Sequence, residues 1–152
     1  MPLLALTRGL FAEVDEEDFL RVAFINFYAF KSHNTWYANN RNEGLLHRVI
    51  LRLSKDDPRE VDHIDGNGLN CKKSNLRIAS RLENGANRKS ESKYKGVTFN
   101  SKLQKWRAQI TREGKWQHIG YFKTAIEAAK AYNKMATLLF GEFANLNKME
   151  EV

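Results

Sequence analysis

The stretch "VDHIDGNGLNCKKSNLRIASRLENGANR" (61–88) sets Asp62 directly against His63 and follows them with asparagines at 67, 70, 75, 84 and 87. It contains no Phe, Trp or Tyr. Asp, Asn and Ser bond readily to nearby backbone, so each of these residues alone reads as part of an Asx turn in a hairpin. Taken together, Asp62, His63 and an asparagine about twenty residues later also meet a chemical need. Hydrolysing a phosphodiester takes a water nucleophile, a base to deprotonate it, and positive charge on the phosphate and leaving oxygen. Histidine titrates near neutrality and suits the base. A carboxylate with a neutral oxygen ligand can hold one Mg²⁺, which keeps several waters and binds the substrate phosphate directly. An EF-hand calcium loop is not spelled here, because the alternating acids and closing Glu are missing.

Working outward, "DGNG" and "NCKKSN" are turn signals, "NLRIAS" reads as a short strand, and "RLENGANR" as a short helix despite Gly85. Upstream, "SKDDPRE" (54–60) reads as a surface loop. "TWYANNRNEGLLHRVILRL" (35–53) reads as two strands joined by an Asn/Gly turn, which puts His47 in an apolar strand as a structural histidine. "EVDEEDFLRVAFINF" (13–27) has helical apolar spacing and acids where a helix N-terminus favours them. Downstream, "KSESKYK" is a charged connector.

"VDHIDGN", then Asn75 in "SNLR" twelve residues beyond His63, then Asn84 in "LEN" nine further on, resembles the HNH nuclease motif. The variant it resembles is that of phage and intron-encoded homing endonucleases, over about residues 45–88 including "LLHRVI". The resemblance implies a ββα-metal fold, a two-stranded hairpin and a helix gripping one ion. By position it implies Asp62 and Asn84 as metal ligands, His63 as general base, and Asn75 as the group that fixes the His63 ring through a hydrogen bond. Asn84 replaces the third motif histidine, a substitution the homing-type branch tolerates. This oxygen-rich set suits Mg²⁺ or Mn²⁺, one ion per active site, rather than zinc. Arg77 and Arg88 read either as phosphate-neutralising cations or as solvated ones.

Residues 93–122 hold three β-like runs, "YKGVTF", "KWRAQIT" and "WQHIGYF". Thr124 and Glu127 spell a capping box, and the helix they start runs to about Phe140, with Gly141 as its stop. Period-two alternation puts Val97, Phe99, Ala108, Ile110, Ile119 and Tyr121 on an apolar face toward that helix. Lys95, Arg107, Gln109, Thr111, Trp116 and His118 fall on the other face, which suits phosphates and base edges. Residues 92–147, through "KGV", "GYF" and the closing "LN", resemble the plant ethylene-response-factor (AP-two) DNA-binding domain. That resemblance implies a sheet lying in the major groove and adds Thr98 and Asn100 to the implied DNA contacts. Thr98, Thr111 and Trp116 stand where the plant domain has guanine-reading arginines, so the plant target does not transfer.

Charge agrees with a polyanion partner. The net charge is +7, and residues 92–152 hold 11 basic against 5 acidic side chains. Cys71 is the single cysteine, which excludes an internal disulfide and a cysteine-based zinc site. No apolar run approaches the roughly 20 residues of a membrane span, and "MPLLALTRGLF" is no signal peptide, so a soluble protein is expected.

The sequence thus predicts an α+β chain. A segment over 1–44 completes the nuclease or contacts DNA, a ββα-metal nuclease core covers 45–90, and a three-stranded antiparallel sheet packed on one α-helix covers 92–147. The predicted function is a homing-type DNA endonuclease giving 5′-phosphate and 3′-hydroxyl ends, targeted to double-stranded DNA by its C-terminal sheet. One quartet per chain implies a monomer or weak dimer that nicks. The resemblance implies a phage or mobile-element origin and action in the host cytoplasm. The alternative is a non-catalytic DNA-binding regulator on a degenerate HNH scaffold. Such a scaffold would lose Asp62 or His63 first, and both are present. An RNA-binding role fits a major-groove sheet reader less well.

Overall fold

The structure, a computed structural model, describes residues 2–32, 34–88 and 92–149. Residues 89–91 of the expected connector lie outside the described residues. The chain is mixed α/β and forms two compact units, 1–80 and 81–152.

In the first unit, strands β1 (Leu3–Ala5) and β2 (Phe11–Glu13) pair antiparallel. Helix α1 (Glu16–Val22) follows, with Glu16, Glu17 and Asp18 at its positive end. The sequence carries its pattern on to Phe27, but the helix ends at Val22 and Phe27 returns to the core while Phe24 stays 93% exposed. Strands β3 (Tyr28–Ser32), β4 (Thr35–Asn40) and β5 (Gly44–Leu45) make an antiparallel sheet in that order.

The second strand expected from "LLHRVILRL" is only β5. Residues Leu46–Ile50 are helix α2. Leu46, His47 and Ile50 are its buried residues, and their i, i+1, i+4 spacing is one face of a helix. The 54–59 segment is a loop, as expected. Arg48 gathers it by donating to the carbonyls of Ser54, Asp57 and Arg59 at 2.7–2.8 Å. Strands β6 (Glu60–His63) and β7 (Leu76–Ala79) then form an antiparallel pair.

One core joins the N-terminal segment to this hairpin. Leu4, Ala12, Val14, Val22, Phe27 and Ala38 pack with Leu46, Ile50, Val61, Cys71 and Leu76. Cys71 is fully buried there, and burial, with Asp65 adding to it, pushes its thiol up to about 12.

The second unit begins with helix α3 (Arg81–Ala86) and continues with strands β8 (Val97–Asn100), β9 (Lys105–Arg112) and β10 (Lys115–Phe122). They form an antiparallel sheet ordered β10-β9-β8. Helix α4 (Ala125–Phe140) packs on it through Ala128, Ala129, Tyr132 and Ala136 against Val97, Ala108 and Ile110. Its capping box is present, with Glu127 N–H donating to Thr124 Oγ1 at 3.1 Å and Thr124 N–H to Glu127 Oε2 at 3.2 Å. The closing "LN" has a structural task. Asn147 exchanges hydrogen bonds with the Lys95 backbone and with Asn133, tying the tail to both sheet and helix.

Tyr121 departs from the simple alternation. The ladder shifts between His118 and Gly120, so Tyr121 pairs with Arg107 and joins the exposed face. One extra residue in a strand reverses the facing of everything beyond it. Phe99 keeps its expected side but remains half exposed, tilted against Trp106 at 5.1 Å.

Candidate active site

The β6–β7 pair sets the site. Its register opposes Asp62 to Arg77 and His63 to Leu76. Val61, Asp62 and His63 are all buried, an unusual place for a carboxylate unless it is paired. Arg77 provides the pairing: its Nε donates to Asp62 Oδ2 at 2.8 Å and its Nη2 approaches the same oxygen at 2.7 Å. Arg77 is therefore neither solvated nor a free phosphate clamp. It is the cross-strand counter-ion of Asp62, a role that hairpin pairing arithmetic would have given.

The loop between the two strands is an amide network centred on Asp65. The Asn67 backbone N–H donates to Asp65 Oδ1 at 2.8 Å and Asn70 Nδ2 to Oδ2 at 2.8 Å. Asn75 Nδ2 donates to Asp65 Oδ1 at 3.0 Å and to the Asn70 carbonyl at 2.8 Å, while Asn75 Oδ1 accepts the Asp65 N–H at 3.1 Å. Burial alone would raise the Asp65 carboxyl. The hydrogen bonds from Asn67, Asn70 and Asn75 outweigh it and hold the group below the usual carboxylate range. Asp65, Gly66 and Asn67 are thus turn residues, as their chemistry suggests.

This network corrects the expectation for Asn75. Both amide hydrogens go to the loop, so Asn75 shapes the chain beyond His63 rather than bonding to the imidazole. Two aromatic rings pack against the His63 imidazole. It meets His47 edge-on at 4.9 Å and 82°, and Tyr37 edge-on at 5.8 Å and 65°. Tyr37 also meets His47 edge-on, at 5.9 Å and 70°. Burial lowers the His63 pKa, against the opposing pull of Asp65 and Asp62. A neutral imidazole at neutral pH is the form a general base requires. Burial, reinforced by His63 and Arg48, takes His47 down to about 3.

Tyr37 lies 26 positions upstream of His63 and carries no sequence signal for this place. It is set by cross-strand pairing with Phe30, whose ring stacks on it at 5.8 Å, and by the backbone of Gly68. A Cβ at Gly68 would lie 2.4 Å from the Trp36 carbonyl oxygen and 2.7 Å from the Tyr37 ring. Only glycine admits that approach.

For a metal, the hairpin offers Asp62. Among the described residues no group of three or more His, Cys, Asp or Glu is placed to hold an ion. A lone carboxylate complemented by water and substrate phosphate is the coordination habit of Mg²⁺, and the donor set fits that group. Arg77 engages Oδ2, so a cation held by that oxygen would compete with the guanidinium. Asn84 lies half-buried on α3, within the second unit.

On the sheet of the second unit, Thr98, Arg107, Gln109, Thr111, Trp116, His118 and Tyr121 share the face away from α4 by register. Trp116 is 64% exposed, and the His118 and Tyr121 rings lie 4.7 Å apart. The Nε of Arg107 is a buried donor with no hydrogen-bond partner. The Leu103 N–H donates to the side-chain Oδ1 of Asn100 at 3.0 Å and so closes the β8–β9 turn.

Lys95 does not belong to this face. Counted in twos from Val97 it has the parity of the helix side, and its ammonium donates at 2.5 Å to the carbonyls of Ala86 and Arg88. It caps the end of α3, as cations do at helix C-termini. Burial, with Arg88 adding to it, brings its pKa down to about 8.

A family model described as HNH endonuclease matches residues 45–86, which takes in α2, the β6–β7 pair and α3. "Uncharacterized HNH endonuclease L560" of Acanthamoeba polyphaga mimivirus is 36% identical over 153 residues, spanning 97% of this chain and 80% of that protein. "Protein 3.8" of Escherichia phage T7 is 36% identical over 88 residues, 55% of this chain and 72% of its own. "APETALA2-like protein 2" of Oryza sativa subsp. indica is 36% identical over 70 residues, 46% of this chain but 16% of its own length. No solved structure matches the chain. The mimivirus relative extends the likeness along nearly the whole chain, and the family model falls on the hairpin that buries Asp62 and His63. The chain belongs to the HNH endonuclease family and is a DNA nuclease.

Proposed function

We propose that the protein is a divalent-metal-dependent endonuclease that nicks double-stranded DNA, leaving 5′-phosphate and 3′-hydroxyl ends. The observation that carries this reading is the pair Asp62–His63, consecutive on one strand and both buried. His63 takes the proton of the attacking water. Asp62, steadied by Arg77, would hold the ion at its carboxylate. When bound, Mg²⁺ or Mn²⁺ supplies positive charge to the phosphate and to the departing 3′-oxygen. Asn75 acts at one remove, by fixing the loop that leaves His63.

The exposed face of the second unit's sheet is proposed as the DNA-targeting surface, in the manner of the AP-two domain. Arg107, with its unpartnered buried Nε, and the neighbouring Thr98, Gln109, Thr111, Trp116 and His118 support that reading. One site per chain suits a monomer or weak dimer that nicks. Viral relatives support a mobile-element or phage setting and action in the host cytoplasm. No helix among the described residues is long and apolar enough to cross a membrane.

The test is conversion of supercoiled plasmid to open circles by wild type, His63→Ala and Asp62→Asn, with Mg²⁺ and with EDTA. Metal-dependent nicking that both variants lose is the expected result. Equal gel shifts by all three proteins without nicking would overturn it in favour of a DNA-binding module. For the sheet, Arg107→Ala should weaken DNA binding by about 1–3 kcal/mol and flatten its salt dependence. Unchanged affinity would remove the sheet from the DNA contact.

A further inference from the structure

A general base works only if its ring is held at the angle from which it can reach the water. Histidines in catalytic and metal sites are usually held by a hydrogen bond from a neighbouring oxygen or amide. The residue expected to do this here, Asn75, has both amide hydrogens on Asp65 and Asn70. Two rings pack on the imidazole of His63, His47 edge-on at 4.9 Å and Tyr37 edge-on at 5.8 Å. Both rings are themselves held. His47 rides on α2, whose Leu46 and Ile50 are among the largest fully buried side chains of the protein. Tyr37 is pressed from one side by Phe30 and from another by the Gly68 backbone.

We propose that His47, backed by Tyr37, is the positioning residue that holds the His63 imidazole by edge-to-face ring packing. The inference rests on the nuclease reading of His63 and concerns what orients that base. It also gives the N-terminal segment a part in the chemistry, because β4 delivers Tyr37 to the site. Packing of this kind depends on a flat aromatic ring, with its negative face and positive edge, rather than on a hydrogen-bonding group. Phenylalanine at position 47 therefore preserves the function, and glutamine, polar but not a ring, does not.

The experiment compares wild type, His47→Phe, His47→Gln and His47→Ala as full chains. Three quantities are measured: single-turnover nicking of supercoiled plasmid with Mg²⁺, DNA affinity with EDTA, and the tautomer and averaging of the His63 ring by long-range ¹H–¹⁵N NMR without metal. The expected result is a nicking rate lowered ~10- to 100-fold in His47→Ala and His47→Gln, the scale of a misplaced catalytic group. DNA affinity stays unchanged, and His47→Phe recovers most of the rate. The His63 ring signals should report one fixed form in wild type and His47→Phe, and an averaged form in the other two. Should His47→Ala not fold, the contrast between Phe and Gln carries the comparison. A folded His47→Phe as slow as His47→Gln overturns the proposal, as do identical His63 signals in all variants. If wild type itself does not nick, the nuclease reading fails. The ring signals then still decide whether His47 holds His63.

Discussion

Asn75 and Asp65 clasp each other twice: the Asn75 amide donates to Asp65 Oδ1 at 3.0 Å, and the Asp65 N–H returns a bond to Asn75 Oδ1 at 3.1 Å. Asn75 N–H and C=O serve the same loop, since the Ile64 N–H donates to the Asn75 carbonyl at 2.9 Å. Replacing Asn75 by Ala leaves a partly buried carboxylate, an N–H and the Asn70 carbonyl each short of a partner. A loss of about 2–3 kcal/mol is expected, together with slower nicking. Asn75→Asp should be worse at neutral pH, because it faces Asp65 with a second carboxylate, and should partly recover as acid protonates one of them. Urea melts at two pH values check this. Equal stability of Asn75→Asp and wild type at neutral pH would sink it.

Asp62 and Arg77 are an ion pair whose side chains are 4% and 15% exposed. Arg77→Met should cost about 3–5 kcal/mol, because it strands a buried carboxylate rather than merely removing an attraction. Adding Asp62→Asn to it should recover part of the stability without restoring nicking. Arg77→Lys should fall between, since an ammonium lacks the guanidinium's planar fork. Denaturant midpoints of wild type, Arg77→Met, Asp62→Asn and the double variant form the double-mutant cycle. A stable Arg77→Met single variant would contradict the pairing.

Gly68 and Gly85 give opposite expectations from the same substitution. Alanine at 68 collides with the Trp36 carbonyl oxygen at 2.4 Å and with the Tyr37 ring, at a cost of about 1–3 kcal/mol or more. Because Tyr37 packs on His63, nicking should slow as well. At 85, in the last turn of α3, an added Cβ meets nothing within 4 Å, and alanine should be neutral or stabilise by up to roughly 0.5–1 kcal/mol. Thermal melts of the two variants, run side by side, settle the sign of each.

His47 ties stability to pH. Its folded pKa is about 3, against an ordinary value of 6.5. Between those values the unfolded chain binds a proton that the folded chain does not. Its contribution is therefore fully present above about pH 6.5 and is lost as pH falls toward 3, by up to ~1.4 kcal/mol per pH unit. The ionisable groups facing it are His63, Arg48 and Tyr37. His47→Phe, which cannot titrate, should show a shallower fall in urea midpoint between pH 6.5 and 4 than wild type does. Parallel curves would mean that His47 is not buried in its neutral form.

Much of the active hairpin was readable because its determinants are local. Asp62 and His63 are neighbours in sequence, the turn residues between them and Asn75 bond within ten positions, and the capping box of α4 spans four. The same local rules misjudged "LLHRVI". The Asn/Gly turn before it suggests a second strand, but burying Leu46, His47 and Ile50 together requires helical geometry.

Local residue type and spacing place Asp62 beside His63 in a turn-rich hairpin and set one capped helix against the C-terminal sheet. The tertiary structure alone decided what surrounds them. Arg77 neutralises Asp62 because strand register opposes them, and Lys95 caps α3 because its parity points it to the helix side. Tyr121 faces outward because one bulge reverses the strand, and Tyr37 reaches His63 because a glycine lets two backbones approach. Each of these depends on register or close packing between segments distant in sequence. Residue type and spacing do not encode such distances, which are set only when the core closes.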